Sequence, residues 1–429
     1  MTTMTQLSTL ARTTRGLATG LLTVFGATAC TLEATNPGPI QADALNTPGA
    51  LNAIVSGAGR DLAEALNWVG YTGGAASREI FPGGSTGAFG ISVLQQSGKL
   101  VDNDDNTHWN FSQRARWTAE DAVARAKGIV ATTPTTATNT SLAQALVWAG
   151  YANRLLGENF CEGIINGGAN GPSTVYLERA ETWFTEAIAA ATAAGTAGAL
   201  TLRDAATAGR ASVRLTRNNP TGAATDAAAI ANTFAYRMPY FQNELDQYNR
   251  IFWASANQPY RAHTVWNTAI EQHRKANRTD IRVPFDSSLT ILVGDAAVGS
   301  LGRVRWYFQT KHATLTAPIN LSTGWEMRLI EAETKLIAND LTGALTSMNL
   351  RRTALSLPQI TAGSIVEGWA ALKKERGLEL WLEGRRLGDF RRWAALSRPG
   401  ALNPLEEIPG RDLCFATPLS EKQTNTNYK

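Results

Sequence analysis

Glu375, Glu379 and Glu383 recur every four residues within 370–393 (AALKKERGLELWLEGRRLGDFRRW). On a helix this spacing stacks three carboxylates along one face. Paired carboxylates are the apparatus of glycoside hydrolysis, where one acts as a protonated general acid. Arg376, Arg385, Arg386, Arg391 and Arg392 surround the row. Neighbouring cations lower carboxylate pKa values, which is wrong for a general acid at neutral pH. The stretch therefore reads as structural, with carboxylates held by arginines beneath other elements, because an unpaired buried charge is too costly. A solvated helix with ordinary i,i+4 pairs is the alternative.

No other catalytic constellation is visible. The four histidines, His108, His263, His273 and His312, fit no HExxH motif and no zinc-ligand spacing with cysteine, and His273 with Arg274 reads as solvated. There is no GxSxG elbow. The Gly-rich run 71–90 (YTGGAASREIFPGGSTGAFG) carries neither GxxxxGK[ST] nor GxGxxG and reads as a surface loop. Asp102, Asp104 and Asp105 imitate the start of a calcium loop. Thr107 and Gln113 stand where its glycine and final glutamate belong, so a solvated, helix-capping turn is expected instead. The chain is expected to be no enzyme and to hold neither metal nor cofactor.

Stacking chemistry is better represented. The chain has 12 Trp, and 236–322 is crowded with aromatics, Asn and Gln. Aromatic faces pack on sugar C–H surfaces while amides bond hydroxyls. Trp68, Tyr71, Trp109, Trp253, Tyr260, Trp266 and Trp306 are the stacking candidates; core packing is the competing role for each. Lys and Arg number 40 against 36 Asp and Glu, net +4 in 429 residues, with no basic run dense enough to track phosphates. Nucleic acid is not an expected partner.

The first residues read as a targeting segment. Arg12 and Arg15 precede a short apolar run that ends in Ala27-Thr28-Ala29-Cys30. Small residues before a cysteine resemble a bacterial lipobox, with Cys30 as the acylated first residue of the mature chain, although Ala27 stands where Leu or Val is usual. Simple cleavage near Ala29 is the alternative. Export leaves Cys161 and Cys414 in an oxidising compartment, which permits a disulfide between them; two separate buried thiols are the other possibility.

Helices must position these groups. After an extended tether at 31–46, Thr47-Pro48 opens a helix as N-cap and first residue. Another helix is expected over 112–129, followed by a Thr-rich linker at 132–140. From Ser141 a pattern recurs: Ala152, Leu156, Asn159; Ala211, Leu215, Asn218; Ala332, Leu336, Asn339. Ala and Leu four apart share a helix face and the Asn suits its terminus. Thr221-Gly222-Ala223 and Thr342-Gly343-Ala344 then precede second helices, and the first copy has its partner at 175–191. Helix, tight turn and helix with small packed residues is the tetratricopeptide plan. The fold expected is mainly α: tetratricopeptide-like helical hairpins at 47–235 and 325–393, with a long irregular, loop-rich insertion at 236–324.

The runs 326–333 (EMRLIEAE), 339–344 (NDLTGA), 372–381 (LKKERGLELW), 383–393 (EGRRLGDFRRW) and 414–418 (CFATP), with the leading Cys30, resemble the SusD/RagB family of nutrient-uptake outer membrane lipoproteins. The resemblance implies a signal peptide at 1–29 and one SusD-like domain at 30–429, lipid-anchored in the outer membrane and facing the exterior. It implies capture of an oligosaccharide or peptide and delivery to a SusC-like TonB-dependent transporter, without catalysis. An envelope tetratricopeptide-type adaptor for a peptide or protein partner is the alternative function.

Overall fold

The computed structural model describes residues 42–256 and 260–429, and 42–429 form one compact unit. Fourteen α-helices and a few two- to five-residue strands make up the described residues, so the architecture is mainly α. None of these helices is long and apolar enough to cross a membrane.

Helix α1 (Pro48–Ala76) begins with Pro48 at its first position, as its fixed φ favours. It runs well into the expected Gly-rich loop. The reason is contact: a Cβ on Gly70 would lie 3.6 Å from Gly384 Cα, and one on Gly74 would lie 3.4 Å from Leu382 Cδ2. These glycines thin the helix for a close neighbour, and the loop starts only at Ser77. After the short α2 (Val93–Gln96), α3 (Asn106–Thr132) and α4 (Thr136–Asn159) form an antiparallel hairpin. The threonines between them make no extended linker. Thr135 Oγ1 accepts the N–H of Thr138, and Thr138 Oγ1 accepts the N–H of Thr135. That capping box starts α4 after three residues.

Helices α5 (Thr174–Ala194) and α6 (Ala197–Thr216) form the next hairpin, and α7 (Pro220–Ala228) closes back on α6. The recurring asparagines explain the turns: Asn218 and Asn339 adopt φ of 59°. This left-handed conformation ends a helix, and Asn tolerates it better than most side-chain-bearing residues. Asn219 Oδ1 then caps α7 through the N–H of Gly222. The alanines of the repeat are fully buried, since a methyl is all the helix–helix spacing admits.

The run beyond α7 is not featureless. It contains α8 (Arg250–Ser255) and α9 (Ala269–Ala276). Ala235–Met238 pairs antiparallel with Ile319–Thr323, joining the two ends of the run. His273 is buried, not solvated, and its Nε2 lies 2.8 Å from Asp280 Oδ2. The helical layer resumes with α10 (Gly324–Ile337), α11 (Leu341–Ala354), α12 (Ile365–Glu379), α13 (Arg386–Ala395) and the tail helix α14 (Leu419–Thr424).

The charged stretch 370–393 is an internal brace. Glu375 accepts from Arg282 at 2.7 Å and Arg352 at 2.9 Å, and Glu379 from Arg351 at 3.0 Å. Asp389 binds Arg376 at 2.7 Å and Arg392 at 2.9 Å. Those guanidiniums hold its carboxyl well below the usual range although burial works the other way. Arg385 ties α13 to Glu326 of α10 at 2.7 Å and Glu158 of α4 at 3.1 Å. One expectation fails. Glu383 lies beyond the end of α12, because Leu382 and Gly384 turn the chain with φ of 57° and 70°. Its partners are Lys311 at 2.8 Å and Asn320 at 2.7 Å, with no arginine.

Candidate ligand-binding face

Helix α1 carries the site. Asn67, buried on it, donates Nδ2–H to Tyr248 O at 2.5 Å and accepts Arg250 N–H at Oδ1 at 2.8 Å. One turn earlier, Ala63 O accepts the Tyr240 hydroxyl at 3.0 Å. Asn249 holds the same run from the other side, donating to Ala317 O at 2.8 Å, while its Oδ1 caps α8. The 240–250 run is thereby fastened over α1 by side-chain amides and a phenol, groups that bond to backbone without needing a sheet.

Two features share this run. The first is an aromatic shelf. Phe89, buried, meets Trp253 and Tyr260 edge-on at 5.3 and 5.4 Å; Trp253 meets Tyr260 at 5.9 Å and Tyr248 at 5.9 Å. Tyr260 is 40% exposed, so its ring meets solvent while Phe89 supports it from below. Arg250 lies beside the shelf with its guanidinium 3.5 Å from the centre of the Trp68 ring. Burial lowers its pKa to about 10, leaving it charged at neutral pH, and its Nε has no hydrogen-bond partner among the described residues.

The second feature is a cleft of about 280 Å³ between α1, α4 and 238–247. Val55, Trp148, Met238 and Tyr240 give it apolar walls, and Arg60, Glu64 and Asp246 give it charge. Gly59 admits Trp148: a Cβ there would come within 3.0 Å of the indole nitrogen. Phe241, half exposed at 52%, also lines the cleft.

The sequence candidates divide. Trp253 and Tyr260 belong to the shelf. Trp68 is half-buried, with one face under Arg250 and an edge against Gly90. A Cβ on Gly90 would lie 2.4 Å from that ring, and the φ of 77° also suits glycine. Trp68 thus positions the cation more than it offers a free face. Trp266 stands apart, edge-on to Phe81 at 5.4 Å. Tyr71, Trp109 and Trp306 are core residues with at most 2% exposure and no face for a ligand. Tyr71 OH lies 2.6 Å from His263 Nδ1, and Trp109 Nε1 donates to Glu421 at 3.3 Å. Burial explains all three, because a large ring inside a helical layer removes more apolar surface from water than any neighbour. Cys30 lies outside the described residues.

Cys161 and Cys414 are bonded to each other. Two of the three aspartates near α3 are joints for the tail, Asp102 pairing with Lys422 at 3.0 Å and Asp105 accepting the Ala416 N–H at 2.8 Å, while Asp104 accepts the Ser92 hydroxyl at 2.5 Å. Burial pushes the Asp105 carboxyl up to about 7. Among the described residues no group of three or more His, Cys, Asp or Glu could hold a metal ion.

Residues 324–429 match the SusD_RagB family model, described as the SusD family. That C-terminal segment is the part of the chain that the SusD family model matches. The fold of solved SusD-like structures extends over most of the chain. A SusD superfamily protein from Bacteroides thetaiotaomicron superposes with a TM-score of 0.65 at 13% identity, covering 89% of this chain and 99% of that one. One from Bacteroides vulgatus gives 0.63 at 12%, covering 89% and 98%. A SusD-like carbohydrate binding protein from Bacteroides vulgatus gives 0.63 at 13%, covering 89% and 97%. No curated protein matches. The matched SusD-family segment holds the brace, whereas the shelf and cleft lie upstream of it.

Proposed function

We propose that the chain captures a nutrient oligomer, a glycan or a peptide, on the face where 240–250 crosses α1, and performs no catalysis on it. The observation that carries this reading is the Trp253–Tyr260 shelf beside the charged Arg250. A ring face binds the apolar side of a sugar or side chain, and a guanidinium binds hydroxyl or carbonyl oxygens. The similarity to a carbohydrate binding protein of the same fold supports the reading. In the brace Glu375, Glu379 and Asp389 are held by arginines and Glu383 by Lys311 and Asn320, so each is engaged in the fold and not presented to a ligand. Anchored through Cys30 in the outer membrane, the protein would hand its ligand to a SusC-like TonB-dependent transporter.

The test is a glycan and peptide binding screen on residues 31–429, repeated with Trp253→Ala and Tyr260→Ala. A ligand retained in full by both variants removes the shelf from the site. Cys30→Ala is expected to move the protein from the membrane fraction to the soluble one, and a tagged chain is expected to co-purify with a barrel transporter.

A further inference from the structure

The cleft beside the shelf has its own chemistry. Asp61, Glu64 and Asp246 share Arg60 and Arg114: Arg60 contacts all three acids, and Arg114 contacts Asp61 at 3.2 Å and also Glu64. Three carboxylates for two guanidiniums leave one negative charge in excess. The shortfall is visible at Asp246, where Oδ1 is buried and has no hydrogen-bond partner among the described residues. Such an oxygen keeps the cost of its lost water until a donor reaches it. Besides Ser56, Gln144 and Gln247, the other walls are the apolar Val55, Ala63, Trp148, Met238, Pro239 and Phe241. Sugar hydroxyls would find few partners along them.

We propose that this cleft is a subsite for a lysine side chain of a peptide ligand, whose four-carbon stem lies along the apolar wall and whose ammonium reaches Asp246 and Glu64. The volume, about 280 Å³, suits one side chain and not an oligomer. Lysine fits better than arginine, because a compact ammonium with three donors can complete one oxygen while Arg60 keeps its own contacts. Burial raises the Glu64 pKa, and a cation in the cleft would offset that. The inference rests on the capture reading and narrows its ligand class to peptides.

The experiment is calorimetric titration of residues 31–429 with acetyl-Gly-Lys-Gly-amide and with its norleucine counterpart, which keeps the stem and lacks the charge. The lysine peptide is expected to bind at least about tenfold more tightly. Asp246→Asn, in the short 3-10 helix Leu245–Gln247 with its side chain 34% exposed, is expected to remove that preference while leaving the melting temperature near wild type. Equal binding of the two peptides overturns the ammonium site. So does binding of a glycan, lost in Trp253→Ala and unchanged in Asp246→Asn, when neither peptide binds; capture then stands and its ligand is a sugar. If neither peptides nor glycans bind, both readings fall. The norleucine comparison is made on the unaltered chain, so it decides the matter even if Asp246→Asn misfolds.

Discussion

Asn67 Oδ1 accepts the backbone N–H of Arg250 at 2.8 Å, and through that bond a residue of the scaffold sets the position of the cation that lies over the Trp68 ring. Asn67→Leu keeps the volume and removes both amide bonds, leaving the Tyr248 carbonyl and the Arg250 N–H unpaired. The expected cost is about 1–3 kcal/mol in urea unfolding. The larger effect is expected on affinity, because the 240–250 run that lies between shelf and cleft loses its register on α1. A variant with a stability loss and unaltered affinity would show that the run is held elsewhere.

The brace separates from the site in the same kind of experiment. Glu375→Gln takes the charge from a carboxylate bound by two buried guanidiniums, and breaking such a pair costs about 3–5 kcal/mol. Glu379→Gln, whose Arg351 contact is partly exposed, is expected to cost less. Ligand affinity of the folded fraction should match wild type in both. Normal unfolding with lost binding would return these residues to the functional site.

Stability should also depend on pH through Glu79. Its Oε1 accepts the Leu382 N–H at 3.0 Å, while Oε2 is buried without a partner among the described residues, and burial pushes the carboxyl up to about 8 from 4.5. The folded state therefore holds a proton that the unfolded chain releases. Its contribution is complete below pH 4.5 and is lost as pH rises from 4.5 through 8. Glu79→Gln copies the protonated form. Its melting temperature should match wild type near pH 4.5 and exceed it at pH 8. Parallel curves across that window would mean that Glu79 is ionised in the fold.

Much of this was legible in the residues. Asn218 and Asn339 announced helix ends because few other side chains accept the left-handed turn, and the buried alanines announced helix contacts. The Glu and Arg row showed itself as a brace because so many charges beside so many apolar residues must pair. The site was less legible. Trp253 and Trp306 look alike as letters, and only packing decides which ring is supported from below and which is enclosed. Glu383 kept the helical spacing of Glu375 and Glu379, but a left-handed Leu382 took it off the helix. Asp246, Phe89 and Arg250 carry no motif; a cleft made by residues 186 positions apart leaves no local trace.

The Cys161–Cys414 bond closes a loop with a sequence separation of 253. Replacing both by Ser is expected to cost about 3–5 kcal/mol on chain-entropy grounds. The tail should nevertheless stay docked, since Cys161 N–H donates to Phe415 O at 3.0 Å and Phe415 N–H to Asn159 O at 2.7 Å. Hydrogen exchange at Phe415 checks the docking separately from the unfolding free energy.

The pairing of Ala235–Met238 with Ile319–Thr323 has an evolutionary consequence. It makes the intervening segment leave and re-enter the helices through one narrow neck, so insertions there cost little loop entropy and leave the helices undisturbed. Arg282 and Lys311 within it reach down to Glu375 and Glu383, which adds two fixed points to those that hold 240–250 on α1. A transplant of 239–279 between relatives that keeps Arg282, Lys311 and the bonds to Ala63 and Asn67 is therefore a practical way to exchange this surface.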